Sequence, residues 1–270
     1  MKQRLDLLLV EKGLAESRTR AQALVLEGKV RVGGQVETKA SRQVEADVEV
    51  AVEAPPRFVS RGGEKLEGAF ALWGEEQGKA KSEKGKSAEG IPFLEVSGKV
   101  CLDVGSSTGG FTDCLLQHGA AFVMAVDVGT NQLAYKLRTD PRVWVRENYN
   151  ARFMKSADLP QVPSVAVTDV SFISLKLILP PIADVLAPGG RIVALVKPQF
   201  EVGKGNAPGG LVRDERLRIE ARDEIVRFGR KELGLELLGL AESPIRGKEM
   251  GNIEYLSYWR KPEAQKGKEE

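Results

Sequence analysis

The sequence predicts an α/β protein: an open sheet of seven mostly parallel strands interleaved with helices, preceded by a small α+β module. Three observations lead to this class. Residues 100–104 are an apolar run holding one acid, followed by a loop of small residues and a helix-like segment over 112–117. Strand, glycine-rich turn and helix in that order mark the crossing point of a doubly wound sheet. From there on, short apolar runs alternate regularly with helix-length segments. Residues 1–54 follow a different pattern, a pair of short helices and a hairpin, and read as a module of their own.

In the module, Leu5, Leu8 and Leu9 give a first helix its apolar face, and Gly13 can end it. Ser17 is a helix N-cap, Ala21, Leu24 and Val25 face inward behind it, and Gly28 stops that second helix. Val30 and Val32 alternate, Gly33-Gly34 turns the chain, and Val36 continues the hairpin. Residues 1–42 carry nine Lys/Arg against five Asp/Glu, whereas 43–54 carry four acids and no base. Arg4, Arg18, Arg20, Lys29 and Arg31 thus form a candidate phosphate-binding face, although the same charges also suit an ordinary solvated surface. Since the net charge of the whole chain is only +2, affinity for nucleic acid has to come from such a local patch.

Pro55-Pro56 opens a linker over 55–60, and the second domain spans 61–260. Lys65, Leu66, Ala69, Phe70 and Trp73 begin an amphipathic helix; residues 74–90 are a polar insert and 261–270 a polar tail. Strands follow over 100–104, 121–128, 143–145, 165–168, 191–196, 235–240 and 253–259, with helices over 172–187, interrupted at Pro180-Pro181, and over 214–233. Two cysteines, one histidine and no apolar run of membrane-spanning length exclude a disulfide framework, a Cys/His metal cluster and a membrane span. The start of the chain is charged rather than signal-like, so the expectation is a cytoplasmic protein without a metal.

The turn Asp103-Val104-Gly105-Ser106-Ser107-Thr108-Gly109-Gly110-Phe111 matches neither the dinucleotide spacing nor the phosphate loop, since no lysine follows Gly110. An acid before the first glycine suits a cationic ligand such as S-adenosylmethionine; an ordinary strand–turn–helix would use the same residues. Asp127 stands where a ribose would be met, and Glu147-Asn148 where an adenine amino group would be. Ligands bind beyond the carboxyl ends of such strands, which collects Asp103, Asp127, Asp169 and Lys197 on one edge. A last strand entered by a tight connection runs antiparallel and adds 251–254 to that edge. The residue after the fourth strand lacks the Pro-Pro pair of base-nitrogen methyltransferases, and no cysteine lies on the rim for chemistry at base carbons. The rim has lysine instead. A lysine amine can take a proton from a ribose hydroxyl when desolvation and a neighbouring cation favour its neutral form. Lys197 is the candidate base, Lys65 its neighbour, and Asp169 and Glu254 would orient the two amines.

Arg4-Leu5-Asp6, Ser17-Arg18 and Gly28-x-Val30-x-Val32-Gly33-Gly34 resemble the small RNA-binding domain named after a ribosomal small-subunit protein, which also precedes many pseudouridine synthases. Across 1–260, apart from the insert, the chain resembles the TlyA family. The matching motifs are Asp103-x-Gly105-x-Ser107-x-Gly109-Gly110-Phe111, Asp169-x-Ser171-Phe172-Ile173-Ser174, Val196-Lys197-Pro198-Gln199-Phe200-Glu201 and Gly251-Asn252-x-Glu254-Tyr255. This resemblance implies a Rossmann-like FtsJ-type domain that uses S-adenosylmethionine to methylate the 2′-oxygen of ribosomal RNA, usually at cytidine. It implies a Lys-Asp-Lys-Glu tetrad, here Lys65, Asp169, Lys197 and Glu254. It also implies a cofactor site of Asp103, Gly105, Ser106, Ser107, Gly109, Gly110, Phe111, Asp127, Asn148 and Asp169. The expected partners are ribosomal RNA or ribosomal subunits. The family is also labelled haemolysin, but the sequence shows no membrane-inserting segment. The competing expectation is an RNA-binding assembly factor with a catalytically silent fold.

Overall fold

The computed structural model describes residues 2–54, 56–74, 92–203, 205–247 and 251–264. The expected insert, apart from Gly74, and the end of the expected tail lie outside the described residues. The chain divides into two units, Met1–Arg57 and Phe58–Glu270.

In the first unit, β1 (Lys2–Arg4) runs straight into α1 (Leu5–Glu11), and α2 (Arg18–Leu26) starts at Ser17, whose side chain accepts a hydrogen bond from the Arg20 N–H. β2 (Val30–Val32) and β3 (Gln35–Glu37) form the hairpin through Gly33-Gly34. β4 (Gln43–Glu45) pairs with β1, and β5 (Val50–Val52) with β2, both antiparallel. Leu5, Leu8, Leu9, Ala21, Leu24, Val25, Val30 and Val32 make the core. Each fully buried leucine contributes about 2 kcal/mol.

The second unit opens with α3 (Gly62–Trp73), followed by β6 (Val100–Val104), α4 (Gly110–Gln117), β7 (Phe122–Val126), α5 (Tyr135–Arg138) and β8 (Val143–Arg146). Next come β9 (Val165–Thr168), α6 (Leu179–Val185), β10 (Arg191–Val196), α7 (Pro198–Glu201), α8 (Glu215–Lys231), β11 (Glu236–Glu242) and β12 (Tyr255–Arg260). One sheet takes the order β11-β12-β10-β9-β6-β7-β8. β10, β9, β6, β7 and β8 are parallel, and β12 is antiparallel to both its neighbours. The sheet is buried on both faces, so its central strands are mostly apolar, with Asp103 in β6 and Thr168 in β9 as buried polar exceptions. Chain order reverses between β6 and β9, the switch point at which α/β sheets bind ligands.

The expected helix over 172–187 is shorter than its pattern. Phe172 has φ +63°, a one-turn 3₁₀ helix covers Leu175–Leu177, and α6 begins only at Leu179. Pro180 and Pro181 fall in the first turn of α6, where a missing N–H costs no intrahelical bond, so they start the helix rather than bend it. Among the described residues no helix is long and apolar enough to cross a membrane.

Candidate active site

The turn after β6 is tied to the end of β7: the N–H groups of Gly105 and Ser106 both donate to the Val126 carbonyl, at 2.8 and 3.2 Å. Gly105 and Gly109 have φ +83° and +98°, a conformation in which a side chain would be strained. The later glycines are required by packing. A Cβ on Gly109 would lie 2.3 Å from Leu137, and one on Gly110 would lie 2.3 Å from the Ser60 hydroxyl and 2.7 Å from the Gly63 nitrogen. Glycine here lets α4 meet α3 at backbone distance, which sets the start of α3 against the turn. Ser106 is buried in the turn, while the Phe111 ring lies in the core.

Asp103 does not stand on the rim. It lies under the turn, fully buried, and accepts a 2.6 Å hydrogen bond from Thr112 through Oδ2. Its other oxygen, Oδ1, is buried with no hydrogen-bond partner. Burial pushes the carboxyl up to about 7, against the pull of the Thr112 bonds. Asp127, just past β7, accepts from the Ser107 N–H at 2.7 Å and from the Gly129 N–H at 2.6 Å, one on each oxygen. Asn148 is exposed beyond β8 at φ +53° and donates its N–H to the Gly129 carbonyl at 2.8 Å. Glu147 is not free to meet an adenine. Its carboxylate accepts from the N–H groups of Asn131, Gln132 and Leu133 and from Arg138. Burial opposes its ionisation, but these donors prevail and hold the carboxyl at about 2.

The four tetrad residues come together from four elements. β10 ends because Pro198 forces Lys197 into extended backbone, φ −111°, and its amine is delivered to the rim. The β10–β12 register pairs Val196 with Tyr255, which places Glu254 beside Lys197. Asp169 follows β9, and Lys65 sits on the buried face of α3. Lys197 Nζ lies 2.6 Å from Asp169 Oδ1 and donates to Ser171 Oγ at 2.8 Å. Lys65 Nζ donates to Glu254 Oε2 at 2.7 Å and to Asp169 Oδ2 at 3.4 Å. Asp169 therefore bridges both ammonium groups. Lys65, Lys197 and Glu254 are buried, and two acids balance two bases, as charges out of water require.

Sequence reading missed three neighbours of this cluster. Ser171 contacts Lys197 directly, and Gln199 Nε2 donates to Glu254 at 3.5 Å. Phe172 is 86% exposed, with its ring 5.2 Å from that of Phe200. An exposed aromatic ring in left-handed backbone beside buried charges is a feature of sites rather than of cores.

On the first unit, Asp6 is fully buried and takes Nε and Nη2 of Arg4 at 3.0 and 2.9 Å, Nε of Arg18 at 3.1 Å and the Gln22 amide at 2.8 Å. The Arg4 hydrogen bonds hold its carboxyl well below the usual carboxylate range. Arg4 and Arg18 are thus both anchored to Asp6. Arg20 is exposed, Arg31 donates to the Gly34 carbonyl at 3.3 Å, and Lys29 pairs with Glu27 at 2.7 Å. Elsewhere, Glu67 of α3 meets Cys114 of α4 and His118 just past its end, with one ligand atom of each within 4.8 Å of the others. His118 hydrogen-bonds Glu67 at 2.7 Å and stacks on Phe70 at 3.7 Å. That grouping is invisible in the sequence because it joins two helices.

Comparison with known proteins agrees with this geometry. The model of the FtsJ-like methyltransferase family matches residues 58–261, and that of the S4 domain matches residues 3–50. The 16S/23S rRNA (cytidine-2′-O)-methyltransferase TlyA of Mycobacterium tuberculosis is 40% identical over 260 residues, covering 95% of this chain and 89% of that protein. Hemolysin A of Brachyspira hyodysenteriae is 41% identical over 262 residues, 95% of this chain and 99% of that protein. A solved structure of a candidate hemolysin from Streptococcus thermophilus superposes with a TM-score of 0.68 at 40% identity, covering 97% of this chain and 89% of that one. The chain belongs to the FtsJ-like methyltransferase family, and an S4 domain precedes its Rossmann-like, S-adenosylmethionine-dependent catalytic unit.

Proposed function

We propose that the protein methylates the ribose 2′-oxygen of ribosomal RNA, at cytidine, using S-adenosylmethionine. The observation that carries the reading is the buried Lys65–Asp169–Lys197–Glu254 cluster at the switch-point edge, together with the burial of both cysteines away from it. A rim with an amine and no thiol suits proton removal from a hydroxyl. The name of the relative in Mycobacterium tuberculosis supports both the nucleoside and the atom. Such a protein works in the cytoplasm, on ribosomal subunits or their RNA.

S-adenosylmethionine supplies a methyl group on a sulfonium, open to in-line displacement by an oxygen. The buried, unpartnered Oδ1 of Asp103 fits a cationic amino group. Asp127, each of whose oxygens keeps a lone pair, would accept from the ribose hydroxyls. Gly105, Ser106, Ser107, Gly109, Gly110 and Phe111 form and support the turn around the ligand, Asn148 stands toward the adenine, and Asp169 borders both sites. Lys197 acts from its neutral amine, taking the 2′-proton to become the ammonium that Asp169 balances. Asp169 and Ser171 aim its amine, while Lys65, held by Glu254, fixes Asp169 from the other side. The Phe172 ring offers a face on which the target base can stack. Incubating unmodified ribosomal RNA with the protein and cofactor should make one internucleotide bond resistant to alkaline hydrolysis, because that cleavage needs a free 2′-hydroxyl. An RNA that stays uniformly cleavable contradicts the reading.

Asp103 makes cofactor binding pH-dependent. In the cofactor-free protein its raised pKa means that the fold keeps a proton, up to about pH 7, that the unfolded chain releases. That contribution to stability is present at low pH and is lost as pH rises toward 7. A cationic amino group favours the ionised carboxylate, so binding at pH 6 should release about one proton, and affinity should rise with pH until near 7. Calorimetry at pH 6 in buffers of different ionisation heats measures this; heats independent of buffer would remove Asp103 from the amino-group site.

For the RNA face, Arg20→Glu with Arg31→Glu is the informative pair, since Arg18→Glu would also set a like charge against buried Asp6. The double variant should weaken RNA binding and flatten its salt dependence by about one unit of slope per lost phosphate contact. Unchanged affinity across a salt series returns these residues to plain surface.

A further inference from the structure

We propose that Glu201 is a positioning residue for methyl transfer: its carboxylate clamps the loop carrying Ser171 and Phe172 at a fixed distance from Lys197. The inference rests on the functional reading above and goes beyond it, because Glu201 touches none of the four charged residues in the contacts described.

Glu201 ends α7, four residues after Lys197. Its Oε2 accepts from Ser174 Oγ at 2.5 Å and its Oε1 from the Leu175 N–H at 2.8 Å. Ser174 in turn caps the 3₁₀ turn behind it, accepting from the Lys176 N–H at 3.2 Å. The loop over 169–175 is therefore anchored at both ends. Asp169 is held in front by the two lysines, and Ser174 and Leu175 are held behind by Glu201. Between the anchors, Ser171 meets Lys197, and Phe172 adopts φ +63°. Left-handed backbone is costly for a bulky side chain and persists only where the surroundings over-determine it. The back anchor comes from the same short helix that follows the base. α7 also carries Phe200, the ring beside Phe172. The Phe200 N–H bonds back to the Lys197 carbonyl at 2.9 Å, and the Val202 N–H to the Pro198 carbonyl at 2.9 Å. One rigid piece thus carries both the base and the support of the loop facing it. Burial pushes the Glu201 carboxyl up, while the Ser174 and Leu175 donors pull it back.

The test is a double-mutant cycle on the full-length protein with ribosomal subunits as substrate. Glu201→Ala should lower kcat by about tenfold to a hundredfold, the scale of a small misplacement, and leave the S-adenosylmethionine Kd within about twofold. Phe172→Ala should slow wild-type protein but add little in the Glu201→Ala background, because the ring is already misplaced. Glu201→Gln, which keeps one acceptor oxygen, should recover part of the rate. Hydrogen exchange should speed up at the 169–175 amides and not in the central strands. If Glu201→Ala does not fold, Ser174→Ala removes the bond to Glu201 Oε2 together with the cap on the Lys176 N–H, leaves the carboxylate and its Leu175 bond in place, and should show the same pattern more weakly. A wild-type rate in Glu201→Ala, multiplicative effects of the two substitutions, or unchanged exchange over 169–175 each overturns the proposal. Wild-type protein that transfers no methyl group to any ribosomal RNA would instead strike the substrate reading, and the exchange measurement would still read the clamp.

Discussion

Lys197→Ala should lower methyl transfer by about 10³-fold or more while changing the S-adenosylmethionine Kd by less than about threefold. The asymmetry follows from place. Lys197 is at the end of β10 against Asp169 and Ser171, whereas the glycine-rich turn and Asp127 belong to β6 and β7. Losing a group that acts on the substrate hydroxyl therefore spares the cofactor. Lys197→Arg sharpens the point. It keeps a cation beside Asp169, but a guanidinium cannot lose its proton, so it should fail almost as badly as alanine. Single-turnover transfer from labelled cofactor measures both variants. An active Lys197→Arg would mean that charge at this place matters and proton acceptance does not. Equal loss of binding and transfer in Lys197→Ala would mean that the site had collapsed.

Asp127→Ala should act on the other quantity. Its carboxylate now holds the N–H groups of Ser107 and Gly129, and with cofactor bound it would also accept from the ribose. Hydrogen bonds to a charged group contribute about 1.5–3 kcal/mol each, so the Kd should rise on the order of a hundredfold. Part of the loss comes through the turn, because Ser107 has φ +47° and needs the carboxylate to hold it there. Asp127→Asn keeps the shape and an acceptor oxygen and should fall between wild type and alanine. Calorimetric titration decides, and an unchanged Kd would take Asp127 out of the cofactor site.

What could be read from the sequence was what periodicity and strand ends carry. An apolar run closed by a charged residue is visible in one dimension, and so Asp169, Lys197 and the antiparallel approach of Glu254 followed from chain order alone. Lys65 could not be reached that way. One lysine on an amphipathic helix is ambiguous until packing against α4 turns its face inward; the sequence offered it only as a candidate neighbour of Lys197, and the motif resemblance strengthened that assignment. The reason for Gly109 and Gly110 was not legible either, because the atoms a side chain would strike belong to Leu137, Ser60 and Gly63. Phe172 was hidden for a related cause: its left-handed backbone is imposed from both ends of a loop, and apolar spacing alone assigned it to a helix. Arg4 and Arg18 read as free charges because nothing local shows that Asp6, between them in space, is buried.

The central claim, proton removal by Lys197 from a ribose hydroxyl of ribosomal RNA, is tested most directly by one experiment. Ribosomal subunits lacking the modification are incubated with labelled S-adenosylmethionine and wild-type or Lys197→Ala protein, and the digested RNA is analysed by mass spectrometry. A 2′-O-methylated cytidine formed by the wild type and absent with the variant is the predicted result. A methyl group on a base atom, or undiminished transfer by Lys197→Ala, would contradict it.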